Sequence, residues 1–214
     1  MSELAALAAP GRPDLLRRAL RLEYLTVGWN VVEGVVAVGA ALAAGSVALL
    51  GFGIDSFVES ASGTVLVWRL WAERRAADHE AIEVVERRAQ KLVAMSLFGL
   101  AAFIAADAAR TLIAQDAPSP SAVGIAVTTL SIGVMYWLAR AKRRTAIALG
   151  SRAMEADAFQ TTACWWLSLI VLAGIGVNAI TGWWWADPVA AIAMTWFLVW
   201  EGRETWKGED CCEP

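Results

Sequence analysis

Gly51-Phe-Gly-Ile-Asp55-Ser-Phe-Val-Glu59-Ser60 lies in the second apolar segment of the chain. It sets two carboxylates one helical turn apart inside an apolar run of about 20 residues, the length a helix needs to cross a bilayer. A charged side chain at the centre of a bilayer costs roughly 2.5–3.5 kcal/mol on insertion scales. Two on one helix face therefore require a compensating partner, most simply a cation.

The surrounding composition agrees. The chain has 214 residues, of which 58% are hydrophobic and only 18% charged, and its mean hydropathy is +0.52. This is too apolar for a water-soluble domain and predicts an all-α polytopic membrane protein. A net charge of −3 gives no basis for nucleic-acid binding. The cysteines, Cys164 within an apolar run and Cys211-Cys212 near the end, do not form a disulfide framework. No nucleophile–base pair or HExxH pattern is present, so an enzyme is not expected.

Apolar runs occur at about 22–43, 46–70, 92–114, 121–139, 154–180 and 184–202, and each is long enough to span ~30 Å of hydrocarbon. The first is longer than the apolar core of a signal peptide and contains Asn30 and Glu33, so it is read as a span. The expected organisation is an N-terminal arm over 1–21, a six-helix membrane domain over 22–202 and a short tail over 203–214. All of the 18 basic residues except Arg110 then fall on one side, which places both termini in the cytoplasm. Trp183, Trp184 and Trp185 at the outer end, with Trp68, Trp71, Trp200 and Trp206 near inner ends, suit an interfacial belt. The segment from Ala72 to Gln90 lacks Gly and Pro and is expected to prolong the second and third spans as helix. Its His79, beside Asp78 and Glu80, reads as a surface residue.

Other polar residues interrupt the spans. On the fifth, Asp157, Gln160 and Cys164 are spaced i, i+3, i+7 and share a stripe. Counting ~1.5 Å per residue from the assumed ends of the antiparallel second and fifth spans pairs Asp55 with Cys164 and Glu59 with Gln160 in depth. Two carboxylates, an amide oxygen and an ionisable thiol form a donor set for a divalent cation. The same groups also suit mutual satisfaction between packed helices, and spacing leaves both readings open. Glu33 on the first span and Asp157 are candidates to stand behind the ligands or carry protons. Asp107 and Arg110 are expected to pair with each other. Cys211 and Cys212, among Glu209, Asp210 and Glu213, are candidates for cytoplasmic metal capture, for lipidation or for no role.

These residues carry a resemblance. The second span, Gly45-Ser-Val-Ala-Leu-Leu-Gly-Phe-Gly-Ile-Asp55-Ser-Phe-Val-Glu59-Ser-Ala-Ser-Gly63, is similar to that of the cation diffusion facilitator family. So are the fifth, Glu155-Ala-Asp157-Ala-Phe-Gln160-Thr-Thr-Ala-Cys164, and a sixth opening with Trp184-Trp-Ala-Asp187-Pro188. The similarity covers roughly residues 15 to 205. It implies export of a divalent metal, zinc first, from the cytoplasm in exchange for protons, by a homodimer in a bacterial-type inner or plasma membrane. The metal is then the substrate, with no cofactor. The family's acid pair corresponds to Asp55 and Glu59, while Gln160 and Cys164 stand where the family carries His and Asp. The family's usual cytoplasmic C-terminal domain is not expected here. The alternative is a metal-sensing or partner-binding relative that does not transport.

Overall fold

The structure is a computed structural model that describes residues 11–74, 79–115 and 117–207, without the side chains of residues 73, 79–90 and 152. Cys211, Cys212 and the His79 side chain lie outside the described residues. Among the described residues, six helices follow in order: α1 (Arg12–Ala44), α2 (Val47–Arg74), α3 (His79–Ala114), α4 (Ala122–Leu149), α5 (Arg152–Thr181) and α6 (Ala186–Lys207).

Two of the turns use the same dipeptide. At Gly45-Ser46 and Gly150-Ser151 the glycine adopts the left-handed conformation, with φ of 69° and 63°, and ends the preceding helix. The serine hydroxyl then accepts an amide of the next helix's first turn, Leu49 N–H at 3.1 Å and Met154 N–H at 3.4 Å. Both turns fold the chain straight back, which makes α1/α2 and α4/α5 antiparallel neighbours.

The central helix is α2, which packs against α1, α3, α5 and α6. Its glycines permit this. A Cβ on Gly53 would lie 2.9 Å from the backbone nitrogen of Val38 in α1, and one on Gly51 would lie 2.2 Å from Ile104 Cδ1 of α3.

The burial pattern is inverted relative to a water-soluble bundle. Along α1 the buried stripe reads Ala19, Glu23, Thr26, Asn30, Glu33, Ala37, Ala41 and Ala44, polar in its middle. The outer face presents Leu25, Val31, Val32, Val35 and Leu42. Ile113 and Ile180 are 84% and 86% exposed, whereas Glu33 and Lys142 are fully buried. Such an apolar exterior is what lipid covers. Inside, one apolar cluster joins Phe52, Leu97, Ile104, Leu167, Val171 and Met194. A second joins Leu20, Leu70, Met135, Leu138 and Met154. Asn30, Glu33, Asp55, Ser56, Glu59 and Ser131 are buried as well.

The chain is thus an all-α polytopic membrane protein. By length and hydropathy alone, α1, Lys91–Ala114 of α3, α4 and Ala153–Thr181 of α5 qualify as membrane spans. The polar residues of α2 (Asp55, Ser56, Glu59, Ser60) and of α6 (Asp187, Glu201) lower their hydropathy, but these side chains are buried against other helices.

Two helices run past their apolar runs, and one expected ion pair is corrected. Helix α1 begins at Arg12, ahead of the first apolar run, with Leu15, Leu16 and Ala19 in the core. Helix α4 continues through Arg140–Arg144 to Leu149, since this segment has good helix formers and no Gly or Pro; Lys142 within it is buried. Asp107 and Arg110 form no ion pair; Arg110 is exposed, where such a pair gains little.

Candidate metal centre

The start of α2 is fixed by a residue from α6. Asp187 accepts the Ser46 hydroxyl at 2.5 Å through Oδ1, and the Val47 and Ala48 amides at 3.0 and 3.4 Å through Oδ2. A buried carboxylate from one helix thereby caps the N-terminus of another, where the helix dipole favours negative charge.

From that end, α2 carries Asp55 and Glu59 inward on one face, both 3% exposed. The Cys164 thiol of α5 meets both. It donates to Glu59 Oε2 at 2.7 Å and reaches Asp55 Oδ2 at 3.5 Å. Three of the four expected ligand positions therefore come together. Gln160 does not join them: its Oε1 accepts the Ser62 hydroxyl at 3.0 Å. Cys164 is thus closer to Glu59 than to Asp55, and Gln160 is level with Ser62, about one helical turn away from the register counted along the sequence. The helices begin at Val47 and Arg152, close to the starts used in the count, so the difference lies in the ~30 Å assumed between those two starts.

Glu33 lies behind the cluster as the junction of three helices. Its Oε1 accepts Ser56 of α2 at 2.9 Å, and its Oε2 accepts Ser131 of α4 at 2.6 Å together with the Trp29 indole N–H. Three donors on one carboxylate are a strong charge-assisted arrangement. Ser131 is linked onward to Ser168 of α5 at 3.2 Å. Asp157, the other candidate for this role, is occupied elsewhere. Its Oδ2 lies 2.5 Å from Lys142 Nζ, which also reaches Glu23 Oε2 at 3.0 Å. This ion triad joins α1, α4 and α5, and Lys142 and Glu23 in it are wholly buried.

Lys142, Glu23, Asn30 and Glu201 were not singled out from the sequence. Lys142 sits among arginines and reads as a topological charge, and Glu23 and Glu201 sit at the ends of apolar runs, where interfacial solvation is the default. Asn30 had a usable signal, being one turn from Glu33 on the same face. It approaches Glu59, yet neither of its amide atoms has a hydrogen-bond partner. Glu59 Oε1 and Glu201 Oε2 are likewise sealed and unpartnered. Buried oxygens without partners are unusual and mark a site that a ligand completes or a strained region.

Among the described residues, no group of three or more His, Cys, Asp or Glu side chains is arranged so that it could hold a metal ion. Asp55, Glu59 and Cys164 are instead drawn together by the thiol proton. Their chemistry fits a divalent cation, since a thiol ionises on metal binding and two carboxylates supply anionic oxygens.

Residues 25–207 match the family description "Cation efflux transmembrane domain". The chain is also 30% identical over 200 residues to an uncharacterized transporter of Synechocystis sp., an alignment covering 88% of this chain and 63% of that protein. The chain thus spans less than two thirds of the length of this curated relative.

Proposed function

The chain belongs to the cation efflux family, the cation diffusion facilitators of the resemblance above, and from that premise we propose that it transports a divalent cation across the membrane. The cation binds mid-bundle between α2 and α5, held by Asp55, Glu59 and Cys164, with Gln160 one turn away on the inner side as the point of entry. The observation that carries this reading is the buried thiol hydrogen-bonded to both carboxylates of one helix face. Zinc is the leading substrate, because thiolate and carboxylate donors suit it better than they suit manganese or magnesium.

Binding displaces the thiol proton, so metal entry and proton release are coupled at Cys164. Glu33, tied to α1, α2 and α4, serves as the proton carrier behind the ligands. Asp157 acts indirectly by holding Lys142, whose charge interacts with Glu59. With both termini cytoplasmic, rocking of the helices would release the ion on the far side of a bacterial-type inner membrane. The working unit is a homodimer.

Zinc flux into proteoliposomes tests the reading. Wild-type protein should give flux above empty vesicles, and the Asp55→Ala, Glu59→Ala double variant should give none; undiminished flux in that variant contradicts the site. One observation favours a second reading, a relative that senses metal without moving it: Gln160 is engaged by Ser62, away from the other three residues. Saturable zinc binding without flux would establish that reading.

A further inference from the structure

Asp55, Glu59 and Cys164 supply three donors, whereas zinc commonly takes four. A fourth group in the described structure approaches the same place. Glu201 of α6 is 4% exposed, and its Oε2 is sealed from solvent without a hydrogen-bond partner. It interacts electrostatically with Asp55, Glu59 and the Cys164 thiol.

Its depth follows from the Asp187–Ser46 hydrogen bond, which sets the starts of α6 and α2 at one level. The two helices run in the same direction from there. Glu59 is about 20 Å along α2 from Ser46, and Glu201 is about 21 Å along α6 from Asp187. The two carboxylates are therefore level, on helices that pack together and that both pack against α5, the helix of Cys164.

The residues beside Glu201 fix its direction. Trp200 lies edge-on to Phe159 of α5, with ring centroids 5.3 Å apart, and also contacts Phe197 at 5.4 Å. Gly202 faces Phe98 of α3 so closely that a Cβ there would lie 3.0 Å from the ring. With Trp200 partly exposed and Gly202 against α3, Glu201 is held on the inward face of α6.

We propose that Glu201 is the fourth donor of the cation site, supplied by α6 to a centre otherwise built from α2 and α5. The inference rests on the transport site proposed above and assigns it a residue outside the Asp55, Glu59, Gln160 and Cys164 set. The unpartnered oxygens of Glu59 and Glu201 are then explained together: both lack a partner until a cation supplies one. A third carboxylate also makes the centre more anionic, which favours a divalent over a monovalent cation.

The test is zinc binding to the purified full chain in detergent, by competition against a chelating dye, alongside the melting temperature without metal. Glu201→Gln should weaken zinc binding at least tenfold while leaving the metal-free melting temperature unchanged or higher, because it removes a buried unpaired carboxylate. Glu201→Asp keeps the charge but retracts it, and should give an intermediate loss; it also serves if the glutamine variant does not fold. Zinc affinity within twofold of wild type in both variants, with binding abolished by Asp55→Ala, Glu59→Ala, overturns the role of Glu201 and leaves the parent site standing. Affinity that falls only together with the metal-free melting temperature marks a structural residue and also overturns it. Binding that persists in the Asp55→Ala, Glu59→Ala variant overturns the parent site and this assignment with it.

Discussion

Cys164 Sγ donates a hydrogen bond to Glu59 Oε2 at 2.7 Å across the contact between α5 and α2. In an apolar bundle this bond satisfies two groups that would each be costly alone. It also determines what can replace it. A group that takes the thiol proton's place must be positive and must accept both a sulfur and a carboxylate oxygen, which describes a borderline-soft metal cation. The remaining polar residues serve this contact at a distance. Asp187 fixes where α2 starts, Glu33 ties α2 to α1 and α4, and Lys142 ties α5 to α1.

The Lys142 triad should dominate the stability of the inner half of the bundle. Lys142→Met leaves Glu23 and Asp157 buried without their cation and is expected to cost about 3–5 kcal/mol. Adding Glu23→Gln and Asp157→Asn to the same chain should recover most of that loss. Unfolding in mixed micelles measures both, and a single variant as stable as wild type would show that the triad is not a structural tie.

Removing the Asp187 cap should act on α2 although the residue belongs to α6. Asp187→Ala is expected to destabilise by about 1–2 kcal/mol, and Asp187→Asn, which keeps one acceptor, by less. Amide exchange should speed up at Val47 and Ala48 in the alanine variant. Acceleration confined to the start of α6 would contradict the cross-helix cap.

Gly51 and Gly53 of α2 should respond differently to alanine, which by helix propensity alone gains about 1 kcal/mol over glycine. At Gly51 the main obstacle is the movable end of Ile104, so Gly51→Ala should be close to neutral. At Gly53 it includes the backbone of α1, and Gly53→Ala should lose about 1–3 kcal/mol despite the propensity gain. Equal melting temperatures for the two variants would mean that α1 and α2 are not held at this separation.

Much of this arrangement was legible in the sequence. Six apolar runs became six helices, and Asp55, Glu59 and Cys164 were singled out because lipid makes such residues conspicuous in mid-span. The pairing of α2 with α5 followed from their opposite directions and matched stripes. Registry was less legible, because residue counts must start somewhere: Cys164 is nearest Glu59 and Gln160 reaches Ser62. Polar residues near helix ends were passed over for a related reason. Lys142, Glu23 and Glu201 occupy positions where a charge normally meets water or headgroups, and their burial depends on helices distant in sequence. Helix ends were subject to the same limit, as with α1, which extends ten residues ahead of its apolar run.

Whether Cys164 is a metal ligand is tested most directly by zinc-edge X-ray absorption on the full chain carrying Cys211→Ser and Cys212→Ser, so that Cys164 is the sole thiol. One sulfur is expected at about 2.3 Å from zinc, with oxygen donors completing the shell, and that sulfur should be lost when Cys164→Ser is added. Bound zinc with an all-oxygen shell before that substitution would contradict it.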